Sequence, residues 1–239
     1  MDYATHYAQE EASQARHGKF QVYRFCETAR HIPADAGSLV DVGCGEGHWL
    51  DWLRRHRGGL GDLVGVEVAA NRVEAARARY PALEIEAGDV FDMDLEGRFE
   101  VVTCLEVIEH LEDWRAAVDR LVEIATRKVV ITVPYREKIP SEICVHCHNP
   151  TPRYGHLHSF DGSSFDAYKA QFPVTTGVIW GEDEALWLRH VYYRTLAPPS
   201  WLVAVIHVDG RPDEPSTLGR LVSGVKARAL GFLPRRILR

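Results

Sequence analysis

Long apolar runs are missing from this 239-residue chain. Nothing in it approaches the ~20 consecutive apolar residues that a membrane-spanning helix requires, so an integral membrane protein is not expected. The opening residues, Met1-Asp2-Tyr3-Ala4-Thr5-His6, are polar and contain no hydrophobic signal-peptide core, which points to the cytoplasm. Cysteine is sparse and odd in number, five in all, against a disulfide-stapled scaffold. Internal repeats and low-complexity segments are lacking too, which removes solenoid and fibrous architectures. Basic residues are outnumbered, 28 against 34 acidic. Six of the 28 (Arg220, Lys226, Arg228, Arg235, Arg236 and Arg239) gather at the end without an acid among them, leaving 22 basic against 34 acidic side chains elsewhere. An acidic body is a poor surface for a phosphate backbone, so a nucleic-acid partner is not expected.

What the chain does have is enough apolar character, 46%, for one α/β core with additions. Its most informative stretch is Leu39-Val40-Asp41-Val42-Gly43-Cys44-Gly45-Glu46-Gly47-His48-Trp49-Leu50. An apolar run ends in an acid, three glycines follow at alternate positions, and an amphipathic segment begins: strand, tight turn, helix. Glycines at this spacing bring a ligand against bare backbone, with the N–H groups of a helix start behind them. A dinucleotide fingerprint needs G-x-G-x-x-G, and here the third glycine comes one residue too early. A nicotinamide oxidoreductase is therefore disfavoured.

From Ser38 onward, strands and helices alternate as in a parallel sheet. Strands are expected at 39–42, 63–67, 83–87, 99–104, 128–133, 174–180 and 201–208, and helices at about 47–56, 70–79 and 113–125. Asp161 to Ala170 reads as a capped helix. Residues 1–37 form a helical lead-in, whose Tyr3 and Tyr7 can reach a ligand or simply pack, and 38–210 the main domain. Within it, 135–159 is a long inserted loop rich in Pro, His and Cys, and 211–239 is a basic tail.

Two further acids close successive strands: Glu67 after Leu63-Val64-Gly65-Val66, and Asp89 after Leu83-Glu84-Ile85-Glu86-Ala87-Gly88. The ordered set from Ser38 to Val133 resembles the class I S-adenosylmethionine-dependent methyltransferases. That resemblance implies an α/β, Rossmann-like, seven-stranded and mostly parallel sheet with helices on both faces. It assigns the cofactor S-adenosyl-L-methionine to Asp41, Gly43, Cys44, Gly45, Gly47, Glu67, Val68, Asp89, Val90, Cys104 and Leu105. Glu67 takes the two ribose hydroxyls. Asp89 and the Val90 N–H meet the adenine. Asp41 and the backbone at Cys104-Leu105 meet the methionine ammonium.

The run Glu106-Val107-Ile108-Glu109-His110-Leu111 follows the fourth strand. On a helical turn Glu106, Glu109 and His110 would share a face. The run resembles those of the ubiquinone-biosynthesis O-methyltransferases and of the small-RNA 2′-O-methyltransferases. In the latter branch two glutamates and a histidine of this turn bind a divalent metal with a later histidine, here His156 or His158. Glu106, Glu109, His110 and His156 are thus candidate ligands for Mg, Mn or Zn, and His110, His156 and His158 candidate bases. A rival reading is a zinc staple from Cys144, Cys147, His156 and His158. The two compete for the same histidines.

The function expected is methyl transfer to a small-molecule or glycan acceptor, most readily a hydroxyl. RNA 2′-O-methylation is the second reading, and a cofactor-binding scaffold or sensor the non-enzymatic one. Trp180, Trp187, Tyr192 and Tyr193 together with the 135–159 loop are expected to shape the acceptor pocket, or to pack beneath the sheet. Leu218, Leu221, Val222, Val225, Ala229 and Phe232 fall at helical spacing beside basic residues. Such a segment suits peripheral contact with an anionic membrane, or docking on the body or on a second copy as a homodimer.

Overall fold

The computed structural model describes residues 19–95, 98–143, 148–180 and 199–212. A seven-stranded sheet runs through them in the order β3-β2-β1-β4-β5-β9-β8. Its strands are β1 (Ser38–Val42), β2 (Asp62–Glu67), β3 (Glu84–Ala87), β4 (Phe99–Leu105), β5 (Ala125–Pro134), β8 (Val174–Ile179) and β9 (Trp201–His207). The first five pair in parallel, whereas β9 is antiparallel to both β5 and β8. Inside the 135–159 loop, β6 (Ser141–Ile143) and β7 (Pro150–Pro152) form a separate antiparallel pair. The sequence carries no periodicity there because the pair is only three residues long on each side.

Side-chain alternation explains why these segments become central strands. In β5, Val129, Ile131 and Val133 enter one apolar cluster while Val130 enters the other; in β9, Leu202, Ala204 and Ile206 oppose Val203 and Val205. Both faces of the sheet are covered. On one lie α1 (Lys19–Ala29), α2 (His48–His56) and α3 (Ala70–Arg79), contributing Phe25, Trp49, Leu50, Leu53, Val73 and Ala76. On the other lies α4 (Trp114–Ile124), whose Trp114, Ala117, Val118, Leu121 and Ile124 recur at helical spacing and are buried. The Asp113 carboxylate caps α4 by accepting from the Ala116 N–H at 3.0 Å.

One expected helix is absent. Asp161 and Ser164 do not cap an α-helix. Asp161 accepts from the Ser163 N–H at 2.9 Å and its own N–H donates to Ser164 Oγ at 2.9 Å. These residues close a turn, and only a short 3-10 segment, Asp166–Ala170, follows. Side chains that bond their own backbone compete with helix formation in this way.

The described part of the lead-in, from Lys19 onward, is fixed to the sheet. Arg57, just past α2, donates to the carbonyls of Ala29, Ile32 and Pro33 at 3.2, 3.1 and 2.9 Å. Phe25 packs its ring 5.1 Å from Trp49. Among the described residues, the candidate cofactor and reaction-site residues lie at or beyond the carboxyl ends of β1, β2, β3, β4 and β5. In an open α/β sheet this is where ligands bind, beside the strand at which the order reverses.

Candidate active site

Asp41 and Thr103 stand opposite each other in the β1–β4 register, so the Thr103 hydroxyl donates to the Asp41 carboxylate at 2.6 Å. The Trp49 indole donates to Thr103 Oγ1 at 3.2 Å. Asp41 is only 2% exposed. Loss of water raises its carboxyl from the ordinary 3.8 to about 7; the Thr103 hydrogen bond opposes the shift and the neighbouring Glu67 charge adds to it.

The glycine turn differs from the bare platform expected of it. Gly43, Gly45 and Gly47 all have positive φ, but they differ in the room around them. A Cβ at Gly43 would meet Val107 Cγ2 at 2.3 Å, so the missing side chain there makes room for the reaction turn. A Cβ at Gly47 would touch Leu83 and Tyr80 at 3.4 Å, whereas the nearest atom to one at Gly45 is 3.9 Å away. Four of the loop N–H groups are also spent. Gly43 and Cys44 donate to the Val66 carbonyl, Gly47 to the Cys44 carbonyl, and Gly45 to Glu67 Oε2 at 2.8 Å. A turn that uses its donors internally is no phosphate cradle, and it suits a cofactor without phosphates.

Glu67 is buried at 5% exposure. Its Oε2 accepts from Gly45 and its Oε1 from the Ala69 N–H at 2.9 Å. Each carboxylate oxygen keeps a second lone pair, so the group is held in place with acceptor capacity left for hydroxyls. Val68 beside it is exposed and Val90 is buried. Asp89 accepts from the Phe91 N–H at 3.0 Å and lines a cavity of ≈ 530 Å³ with Val66, Met93, Leu95 and Arg98, a volume within the usual range of small-ligand pockets. Cys44 and Cys104 are buried free thiols. Burial raises the pKa of both, so neither is a nucleophile.

At the reaction turn, the expected common face does not form. Glu106 has φ 60, in the left-handed region, and only Ile108–His110 makes a helical turn. Glu106 is therefore rotated out: its Oε1 accepts from the Thr132 hydroxyl at 2.9 Å and its Oε2 pairs with Arg24 of α1 at 3.2 Å. What comes together instead is Glu109, His110 and His156, whose ligand atoms all lie within 4.8 Å of one another. The His110 and His156 rings meet edge to face, 4.7 Å between centroids. The loop is stitched to this turn by the Leu157 N–H, which donates to the Glu109 carbonyl at 2.7 Å.

Glu109 is completely buried, and neither of its carboxylate oxygens has a hydrogen-bond partner among the described residues. Burial first, and the Glu106 charge second, push its carboxyl well above the ordinary 4.5. An orphan carboxylate beside two imidazoles fits a divalent cation, which would supply the missing partner. His158 does not join this group; its Nε2 donates to the Leu111 carbonyl at 2.9 Å. Cys144 and Cys147 lie outside the described residues, as do Tyr3, Tyr7, Trp187, Tyr192 and Tyr193.

Sequence reasoning missed Thr103, Val107, Thr132, Arg24 and Glu137. The last reaches His156 Nδ1 with its Oε2 in a close contact. Cross-strand register would have found Thr103. The others depend on backbone turns that leave no mark in the sequence.

Residues 8–172 match the family described as "Methyltransferase domain". The chain belongs to this family. It is a class I S-adenosylmethionine-dependent methyltransferase. The chain is 35% identical over 111 residues, 44% of its length and 42% of the relative's, to a dTDP-3-amino-3,6-dideoxy-α-D-glucopyranose N,N-dimethyltransferase of Streptomyces fradiae. It is 31% identical over 103 residues, 41% of its length and 38% of the relative's, to a ubiquinone biosynthesis O-methyltransferase of Nitrobacter winogradskyi. It thus spans about two fifths of the length of these curated relatives. Among solved structures, a methyltransferase of Mesorhizobium loti superposes with TM-score 0.59 at 16% identity, covering 77% of this chain and 97% of that one. The N-methyltransferase NodS of Bradyrhizobium japonicum, solved with S-adenosyl-L-homocysteine, gives 0.60 at 15%, covering 86% and 96%. These two likenesses establish the methyltransferase's fold.

Proposed function

We propose that this methyltransferase transfers the methyl group of S-adenosylmethionine to a hydroxyl of a small-molecule or glycan acceptor at the Glu109–His110–His156 group. The observation that carries the reading is the orphan Glu109 carboxylate beside two imidazoles at the end of β4. An amine acceptor brings its own lone pair. A hydroxyl needs its proton taken or its pKa lowered, which is what such a group does.

In this reading Glu67 holds the ribose. Asp89 and the Val90 N–H hold the adenine, with Val68 at the edge of the site. Asp41 and the backbone at Cys104 and Leu105 hold the methionine ammonium. Gly45 is the point of closest backbone approach. The sulfonium methyl is then directed at the turn that Val107 seats on Gly43. Displacement at the methyl carbon is in line, so alignment of acceptor oxygen, carbon and sulfur contributes much of the rate. His156 is the base of first choice. His158 is placed as a support, since its Nε2 is engaged at Leu111. A divalent cation bound by Glu109, His110 and His156 would take the His156 lone pair and replace that residue as the base, itself acidifying and orienting the acceptor hydroxyl.

The test pairs elemental analysis with turnover. Purified protein should carry about one equivalent of Mg, Mn or Zn, lost in Glu109→Gln. His156→Ala should keep affinity for S-adenosylhomocysteine and lose about 10²–10⁴ in turnover on sugar or phenol hydroxyls. Methylation of amino sugars alone, unaffected by either substitution, would overturn the hydroxyl reading.

A further inference from the structure

The histidine at the centre of the group is itself gripped from behind. Glu137 stands three residues past the end of β5. Its backbone is placed by the neighbouring Arg136, whose N–H donates to the Phe160 carbonyl at 2.8 Å, and by the bridge between Tyr135 and Phe160. From there Glu137 Oε2 lies in hydrogen-bond contact with His156 Nδ1. Both side chains are mostly shielded, 23% and 12% exposed. The His110 ring crosses that of His156 edge to face, and the backbone of His156 is held by its main-chain N–H, which donates to the Arg153 carbonyl at 3.1 Å.

We propose that Glu137 is a positioning residue that accepts the Nδ1 proton of His156. It thereby holds the ring with a bare Nε2 lone pair for the Glu109–His110 space. Which ring nitrogen of a neutral histidine carries the proton is set by the partner of the other nitrogen. A carboxylate can only accept, so beside neutral imidazole it selects the Nδ1–H form. The lone pair on Nε2 is then the feature the site exploits. As the acceptor oxygen bonds to the methyl carbon and the carbon–sulfur bond breaks, the hydroxyl proton passes to Nε2 and the sulfur leaves as a neutral thioether. The imidazolium so formed sits against Glu137. The same lone pair would serve a divalent cation, because histidine ligands commonly donate their second N–H to a carboxylate.

This inference rests on the methyl-transfer reading of the site, but its test does not need an acceptor. Long-range ¹H–¹⁵N spectra of uniformly labelled protein at pH 7.5, saturated with S-adenosylhomocysteine, report the protonation of each ring nitrogen. His156 is assigned by its loss in His156→Gln. The wild type, stripped of divalent metal with EDTA, should show Nδ1 protonated and Nε2 bare. Glu137→Gln, whose amide oxygen still accepts, should keep that form. Glu137→Ala should lose it in favour of a mixture containing Nε2–H, while calorimetric affinity for S-adenosylhomocysteine stays within about twofold of wild type. Wild-type His156 with a protonated Nε2, or an unchanged tautomer in Glu137→Ala, overturns the proposal. Failure of S-adenosylhomocysteine to bind would instead count against the cofactor site. Methylation confined to amines would count against the hydroxyl acceptor and leave the tautomer result standing.

Discussion

At the scale of single residues, two neighbours in sequence answer for different properties. Asp41 titrates near 7 because its carboxylate has lost water. With its folded-state pKa raised above the unfolded value, its contribution to stability is complete below about pH 4 and is lost as pH rises through about 7. Binding a methionine ammonium needs the ionised form, so cofactor uptake should release a proton. Calorimetry with S-adenosylhomocysteine should therefore show affinity rising between about pH 6 and pH 8. Asp41→Asn should abolish that slope and weaken binding by about 1.5–3 kcal/mol. A flat profile in the wild type would remove Asp41 from the cofactor site. Two residues on, Gly43→Ala should cost stability, about 1–3 kcal/mol from overpacking and a further ~1–2 kcal/mol from its left-handed backbone. The reason is the 2.3 Å approach of Val107. Gly45→Ala carries the same left-handed backbone cost, at φ 54, but meets nothing closer than 3.9 Å, so it should lose less stability than Gly43→Ala and in addition lose cofactor affinity. Melting curves and cofactor titrations on the two variants separate these roles, and equal behaviour would contradict them.

Those residues also mark what the sequence could disclose. The acids at strand ends and the glycine spacing were legible because each is a local pattern with a chemical reason. Which glycine is packed against Val107 and which keeps more room was not, since that is decided by the distant turn that carries Val107. His156 and His158 were indistinguishable by type and spacing. A backbone carbonyl at Leu111 and a carboxylate at Glu137 separate them.

At the scale of elements, the strands were read to within a few residues because alternating burial on two faces is strong and repeated. The turn at 106–111 was misjudged. Helical spacing of Glu106, Glu109 and His110 assumes helical backbone throughout, whereas Glu106 has φ 60, which glutamate does not advertise. Arg24, donated by α1, ties that displaced carboxylate to the N-terminal helix. The helix is in turn held by Arg57 through three carbonyls. Arg57→Ala should loosen α1 as a unit, at a cost of roughly 1.5–3 kcal/mol. Hydrogen exchange should quicken across 20–29 while amides of β1, β4 and β5 keep their protection. Unchanged exchange in α1 would mean the aromatic contact of Phe25 with Trp49 suffices to hold it.

At the scale of the molecule, the parallel sheet with its antiparallel β9 gathers residues from five strand ends, 41 to 156 in sequence, along one edge. No helix among the described residues is long and apolar enough to cross a membrane. The basic tail, 211–239, falls almost wholly outside the described residues. Of its two expected roles, docking on the body or a second copy and contact with an anionic membrane surface, only the second predicts that the full chain floats with phosphatidylserine vesicles and a chain ending at 217 does not. Equal flotation would dismiss it. The account as a whole turns on where the cofactor lies relative to the Glu109–His110–His156 group. A crystal structure of the complex with S-adenosylhomocysteine measures this directly. It should place the ribose hydroxyls on Glu67, the adenine at Asp89 and Val90, and the sulfur facing the turn that carries Glu109 and His110. A sulfur turned away from that turn, or a nucleoside bound elsewhere on the sheet, would contradict the account.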